Sequence, residues 1–179
     1  MKNLLQQYRP FLLFLGKFLL TYLVLTVLYQ SYLNRFDSAA NQVDSFTQMV
    51  ANQTQMLLTL FDNDAQIESH PTEPSLKIIY NGKYVSRIIE GCNALSVMIL
   101  FVSFVVAFTG RWKQTLLFIL FGLLLIHFLN ISRIALLSVA LCHYPEQEQL
   151  LHAVIFPFII YGVVFLLWVI WVNKFSLHA

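Results

Sequence analysis

The chain has 179 residues, of which 58% are hydrophobic and 11% charged, with a formal net charge of +2 and a mean hydropathy of +0.68. A soluble domain carries about 25% charged residues, so the composition excludes a soluble enzyme. It specifies an all-α integral membrane protein, read as a single membrane domain over residues 1–179 whose obligatory partner is the lipid bilayer. A net charge this small, with no basic patch interleaved with aromatics, excludes nucleic acid as a partner.

A helix needs about 20 mostly apolar residues to cross the hydrocarbon. The first such segment runs from Pro10 to Leu33, interrupted only by Lys17. It exceeds the roughly 7–15 apolar residues of a signal peptide. It is therefore read as a retained anchor, although Ser38-Ala39-Ala40 is a weak cleavage-like stretch. From Phe36 to Leu60 apolar residues recur every three or four positions among Asn, Gln, Ser, Thr and Asp. That period predicts an amphipathic helix on the membrane surface or packed over the bundle. Pro71 and Pro74 then break the chain. Leu76 to Ile89 is rich in Ile, Tyr and Val around Asn81-Gly82, which predicts a small β-hairpin. The hairpin delivers the chain to Glu90-Gly91-Cys92.

Three more apolar segments follow, at 93–109, 114–142 and 152–172. The expected architecture is a bundle of about four transmembrane helices (10–33, 93–109, 114–142, 152–172), with residues 34–91 as a loop carrying the amphipathic helix and the hairpin. Cations set the orientation. Lys2, Arg9 and Lys17 flank the first span, Arg111 and Lys113 fill the short second-to-third loop, and Lys174 follows the last span. Every acid lies on the other side: Asp37, Asp44, Asp62, Asp64, Glu68, Glu73 and Glu90 in the long loop, Glu146 and Glu148 in the last one. The long loop also holds Arg35, Lys77, Lys83 and Arg87, but long loops obey the rule weakly, so the short loops decide. Both termini are expected in the cytoplasm and the long loop outside.

This topology gathers three polar residues. Cys92 and His152 open spans that start outside. Arg133 lies about 19 residues after Gln114, about 28 Å of helix, in a core about 30 Å thick. All three reach the outer layer. A thiol, a permanent cation and an imidazole are the parts of a cysteine-nucleophile acyl-transfer site. A helix start and a nearby cation both favour thiolate. His152 can take the thiol proton and return it to a leaving amine. Arg133 can stabilise the thiolate or an oxyanion. Asn130 shares the face of Arg133 one turn earlier and can orient it or the substrate. Glu90 can orient His152 or pair with Arg133.

Simpler readings compete. A cysteine at a helix start is commonly inert packing. An intramembrane arginine is costly and functional by default, yet it can snorkel to lipid phosphate. His143, near the same surface, rivals His152 as base. His127 lies deeper on the helix of Arg133 and suits an interhelical hydrogen bond. Cys142 lies at the level of Cys92, so a disulfide in an oxidising compartment would silence the nucleophile. No CxxC, HExxH, GxSxG or glycine-rich phosphate loop is present, so no metal or cofactor is expected.

Glu90-Gly91-Cys92 before a span, Asn130-Ile131-Ser132-Arg133 in the next and His152 opening another resemble the Cys, Arg and His signature of the exosortase/archaeosortase family. The resemblance covers about residues 85 to 172, and the short chain looks most like the exosortase F type. It departs from the pattern at Asn93-Ala94, where many members carry Ser or Thr and then Gly. The resemblance implies that Cys92, Arg133 and His152 are catalytic. It also implies a thiol peptidase or transpeptidase in the cytoplasmic (inner) membrane. Its partners would be exported proteins with a C-terminal sorting tail of motif, transmembrane helix and basic end. The alternative is a non-catalytic scaffold of an envelope export or polysaccharide system, with Arg133 binding lipid phosphate or a partner helix. A thiol–disulfide oxidoreductase is a third class, and the absence of CxxC argues against it.

Overall fold

The computed structural model describes residues 8–37, 41–60, 64–108 and 110–175. Lys2, Ser38-Ala39-Ala40, Asp62 and Thr109 lie outside the described residues. The chain is mostly helical, and three helices are long and apolar enough to cross a membrane: Arg9–Leu33, Trp112–His143 and Pro145–Lys174.

Helix α1 (Arg9–Leu33) starts with Pro10 in its first turn, where a missing N–H costs nothing. None of its residues is buried, as expected of a helix facing lipid on most of its surface. It leans on α3 (Leu95–Ala107), with the Phe14 ring against Phe104 and Phe108. Helix α2 (Ser45–Thr59) is the amphipathic segment. It begins nine residues later than the apolar period at Phe36, because Asp44 caps it by accepting from Phe46 and Thr47 N–H. Its inner face, Thr47, Val50, Ala51, Thr54 and Leu58, is buried. It packs over the bundle against α4 (Trp112–His143).

The region after α2 is a three-stranded antiparallel sheet in the order β1 (Ala65–Ser69), β2 (Leu76–Tyr80), β3 (Lys83–Ile88). The β2–β3 turn is Asn81-Gly82, with φ of 51° and 72°. Both values are positive, as a type I′ hairpin requires. Strand β1 extends the predicted hairpin. Its Ala-Gln-Ile-Glu-Ser sequence has one β-branched residue, and only pairing with β2 makes it a strand. Sheet, α2 and the last third of α4 share one core around Val50, Ile78, Ile88, Ile131, Ile134 and Ala135. We call this unit the cap.

A second core lies between α3, α4 and α5 (Phe156–Lys174), built on Phe101, Val105, Phe118, Ile126, Val164 and Trp171. Helix α3 has 13 residues, about 20 Å of rise. It is shorter than the 93–109 segment because Ala94 is left-handed at φ 64° and Phe108 is extended. Helix α4 has 32 residues, about 48 Å, enough to serve both cores. Before α5 the chain runs through a 3₁₀ turn (Pro145–Gln147), an α-turn (Glu148–Leu150) and a π-turn (Leu151–Ile155). Pro157 lacks an N–H, and its ring crowds the carbonyl four residues back, so the ladder widens just before it.

Gly122 of α4 lies where a Cβ would overlap the Phe101 ring, and that ring is fully buried. Gly122→Ala is expected to destabilise the α3–α4 packing by about 1–3 kcal/mol, read as a lower thermal unfolding midpoint in detergent. An unchanged midpoint would mean that Phe101 has room to move.

Candidate active site

Cys92 does not open a helix. It closes a 3₁₀ turn, Glu90–Cys92, and Asn93 and left-handed Ala94 separate it from α3. The turn is held from two sides. On one, the fully buried Asn130 of α4 donates from Nδ2 to the Cys92 carbonyl at 2.8 Å. On the other, Asn93 accepts from Leu95 N–H at 2.9 Å and donates to Thr47 Oγ1 at 3.0 Å, tying the turn to α3 and α2. The segment after Cys92 is thus fixed by side-chain hydrogen bonds where regular helix is interrupted.

Cys92 lines a cleft of about 470 Å³. One wall is Tyr84 to Arg87 of β3, a second is Leu137 and Leu141 of α4, and the third is Glu148 and His152 before α5. Ser86 and Ser138 join the first two walls through their hydroxyls, 3.2 Å apart, and Ser138 donates to the Ile134 carbonyl. Arg87 pairs with Glu73 at the rim. Cys92 and His152, sixty residues apart in sequence, therefore face one space. Residue His152 is exposed and sits in the π-turn, a distortion found frequently at functional positions.

The other histidines are engaged elsewhere. His127 donates from Nε2 to Gln53 of α2 at 2.7 Å, the interhelical bond expected of it. His143 bonds back to the Val139 carbonyl at 2.9 Å. His70 contacts Thr72. Among the described histidines, only His152 lines the Cys92 cleft. Cys92 and Cys142 are both free thiols, so no disulfide joins them.

Arg133 is not part of the lining of this cleft. It is half-buried on α4, one turn beyond Asn130 and one turn before Leu137. Its Nε is buried and has no hydrogen-bond partner, and the same holds for Asn130 Oδ1. Glu90 takes neither expected partner. Its carboxylate accepts from Tyr29 Oη of α1, and the one ion pair among the described residues is Arg87–Glu73. The Cys92 turn carries Glu90 to α1, and Glu90 does not line the cleft that His152 faces.

The transmembrane exosortase family model matches residues 8–172. The chain belongs to this family. No curated protein and no solved structure matches it. The exosortase match begins at Tyr8 and so takes in α1 and the cap as well as the part that carries the Cys, Arg and His signature. As an exosortase, the chain is a multi-pass membrane protein with its cap and its apolar helices in one family unit.

Two features of this exosortase cleft were missed in the sequence. Arg87 and Glu148 bring opposite charges to the cleft. The second was foreshadowed by its position four residues before His152. The backbone at Ala94 is the other feature. Its φ of 64° lies in the left-handed region that glycine adopts without steric cost. A left-handed L-residue costs about 1–2 kcal/mol, against about 0.5–1 kcal/mol of extra chain entropy for glycine. Ala94→Gly is therefore expected to stabilise the protein slightly, by about 0.5–1 kcal/mol, seen as a raised unfolding midpoint. A lowered midpoint would mean that packing of the Ala94 Cβ outweighs the backbone strain.

Proposed function

We propose that the protein is a cysteine peptidase or transpeptidase that removes C-terminal sorting tails from exported proteins at the outer face of the cytoplasmic membrane. The observation that carries this reading is the shared cleft of Cys92 and His152, with His127 and His143 engaged elsewhere. In the proposed topology α3 is a short fourth span, both termini are cytoplasmic and the cap is outside. Arg111 and Lys113 between α3 and α4 support that orientation.

The roles follow from the chemistry. His152 accepts the Cys92 thiol proton, and the thiolate sulfur attacks the scissile carbonyl carbon. The carbonyl oxygen becomes an oxyanion, and Arg133 supplies the compensating charge, reaching in from α4. The C–N bond breaks, and protonated His152 returns its proton to the departing amine. The acyl group is left as a thioester on Cys92, which water or an acceptor amine then resolves. Asn130 holds the Cys92 carbonyl and so sets the angle from which sulfur approaches. Arg133 sits one helical turn before Leu137, a residue of the cleft wall, which supports a role toward a group that arrives with the substrate. A scaffold binding lipid phosphate through Arg133 would leave the Cys92–His152 cleft without a task.

Cys92→Ala, Arg133→Ala and His152→Ala are each expected to abolish processing of a sorting-tail substrate, by about 10³-fold or more, with membrane insertion intact. Immunoblotting of substrate size in cells carrying each variant measures this. Normal processing by Cys92→Ala would end the proposal.

A further inference from the structure

Helix α1 lies outside the segment that carries the Cys, Arg and His signature, yet it makes a direct polar contact with the Cys92 turn. Tyr29 Oη donates to the Glu90 carboxylate and accepts from Asn93 Nδ2 at 3.3 Å. Asn93 is 1% exposed and reaches on to Thr47 of α2. One turn along α1, Tyr32 accepts from Phe46 N–H at 3.1 Å and lies 3.4 Å from Asp44. Tyr29 thus sits in a polar junction that joins α1, the start of α2 and the two residues flanking Gly91-Cys92. Such a junction within an apolar protein is costly unless its members are paired.

We propose that Tyr29 is a positioning residue for Cys92: its hydroxyl holds the Glu90 carboxylate against α1 and away from the thiol. Glu90 is two residues from Cys92 on a tight turn. A free carboxylate at that distance disfavours thiolate. Besides Glu90, the titratable groups around Cys92 are Tyr84 and Arg87 of β3, Cys142 of α4, and Glu148 and His152 before α5, with Arg133 further back along α4. Tyr29 touches none of these through a hydrogen bond, so its removal acts on the thiol through Glu90. The inference rests on Cys92 being the nucleophile, and its test needs no substrate.

Cys142→Ser leaves Cys92 as the one thiol. In that background, full-length protein in detergent is alkylated with iodoacetamide across pH 5–10. Tyr29→Phe is expected to move the rate profile to higher pH and slow alkylation at pH 7 by about 3–10-fold. Glu90→Asp keeps the charge, loses the reach to Tyr29 and gives the same shift without altering α1. Tyr29→Phe/Glu90→Gln restores the original profile, which a general loosening of the turn would not do. Unchanged profiles in Tyr29→Phe and Glu90→Asp, or a shift that persists in the double variant, overturn the role of Tyr29. Cys92→Ala protein that still processes substrate would instead overturn the nucleophile itself, whatever the profiles show.

Discussion

The hydrogen bond from Asn130 to the Cys92 carbonyl is the contact on which the geometry turns. A fully buried amide in an apolar helix is unfavourable unless it is paired. Asn130 therefore obliges α4 to accept the Cys92 turn at one position along its length. Once that turn is seated, β3 lies along the last third of α4, where Ser86 meets Ser138. The chain leaving α4 must then bend back through Pro145 before it can enter the bundle again as α5. That return lays Glu148 and His152 across from Cys92. The cleft is the space left between three elements whose placement follows from one polar contact.

Helix α4 links two environments. Its first two thirds pack with α3 and α5 through Phe118 and Ile126, and its last third packs with the sheet and α2 through Ile131, Ile134 and Ala135. Asn130 and Arg133 fall at the change from one core to the other. A polar atom there escapes the full cost of hydrocarbon without being given to bulk water. An intermediate setting of this kind strengthens charge interactions relative to solvent, which suits the role proposed for Arg133.

Much of this was legible in the residues. The long apolar runs announced α1, α4 and α5, and Asn81-Gly82 announced the β2–β3 turn with its two positive φ values. Cys92 and His152 stand out as polar residues opening apolar segments, and Arg133 as a cation inside one; the first two line one cleft, Arg133 is not in its lining, and Asn130, expected to orient Arg133 or the substrate, instead holds the Cys92 carbonyl. Other features were not legible, for identifiable reasons. Strand β1 owes its conformation to its neighbour and not to its own composition. The late start of α2 depends on one cap, Asp44, inside a periodic pattern that runs past it. The destination of Glu90 was hidden because Tyr29 lies 61 residues earlier, in a span whose sequence reads as plain lipid-facing helix. The separation of Cys92 from α3 came from a backbone angle at Ala94, which a side-chain pattern does not encode.

The brevity of α3 carries a consequence for the surrounding lipid. Thirteen residues give about 20 Å, roughly 10 Å less than the hydrocarbon they are proposed to cross. Hydrophobic mismatch of this size is relieved by local thinning of the bilayer around the short helix. The dimple would draw headgroups and water down to the level of the Cys92 turn. A residue just beyond the membrane-anchored helix of the proposed substrate would then meet the thiol below the plane of the undisturbed surface. On this view lipid thickness joins the amino acids as a determinant of the proposed cut: thicker bilayers raise the energy of the dimple, and thinner ones lower it.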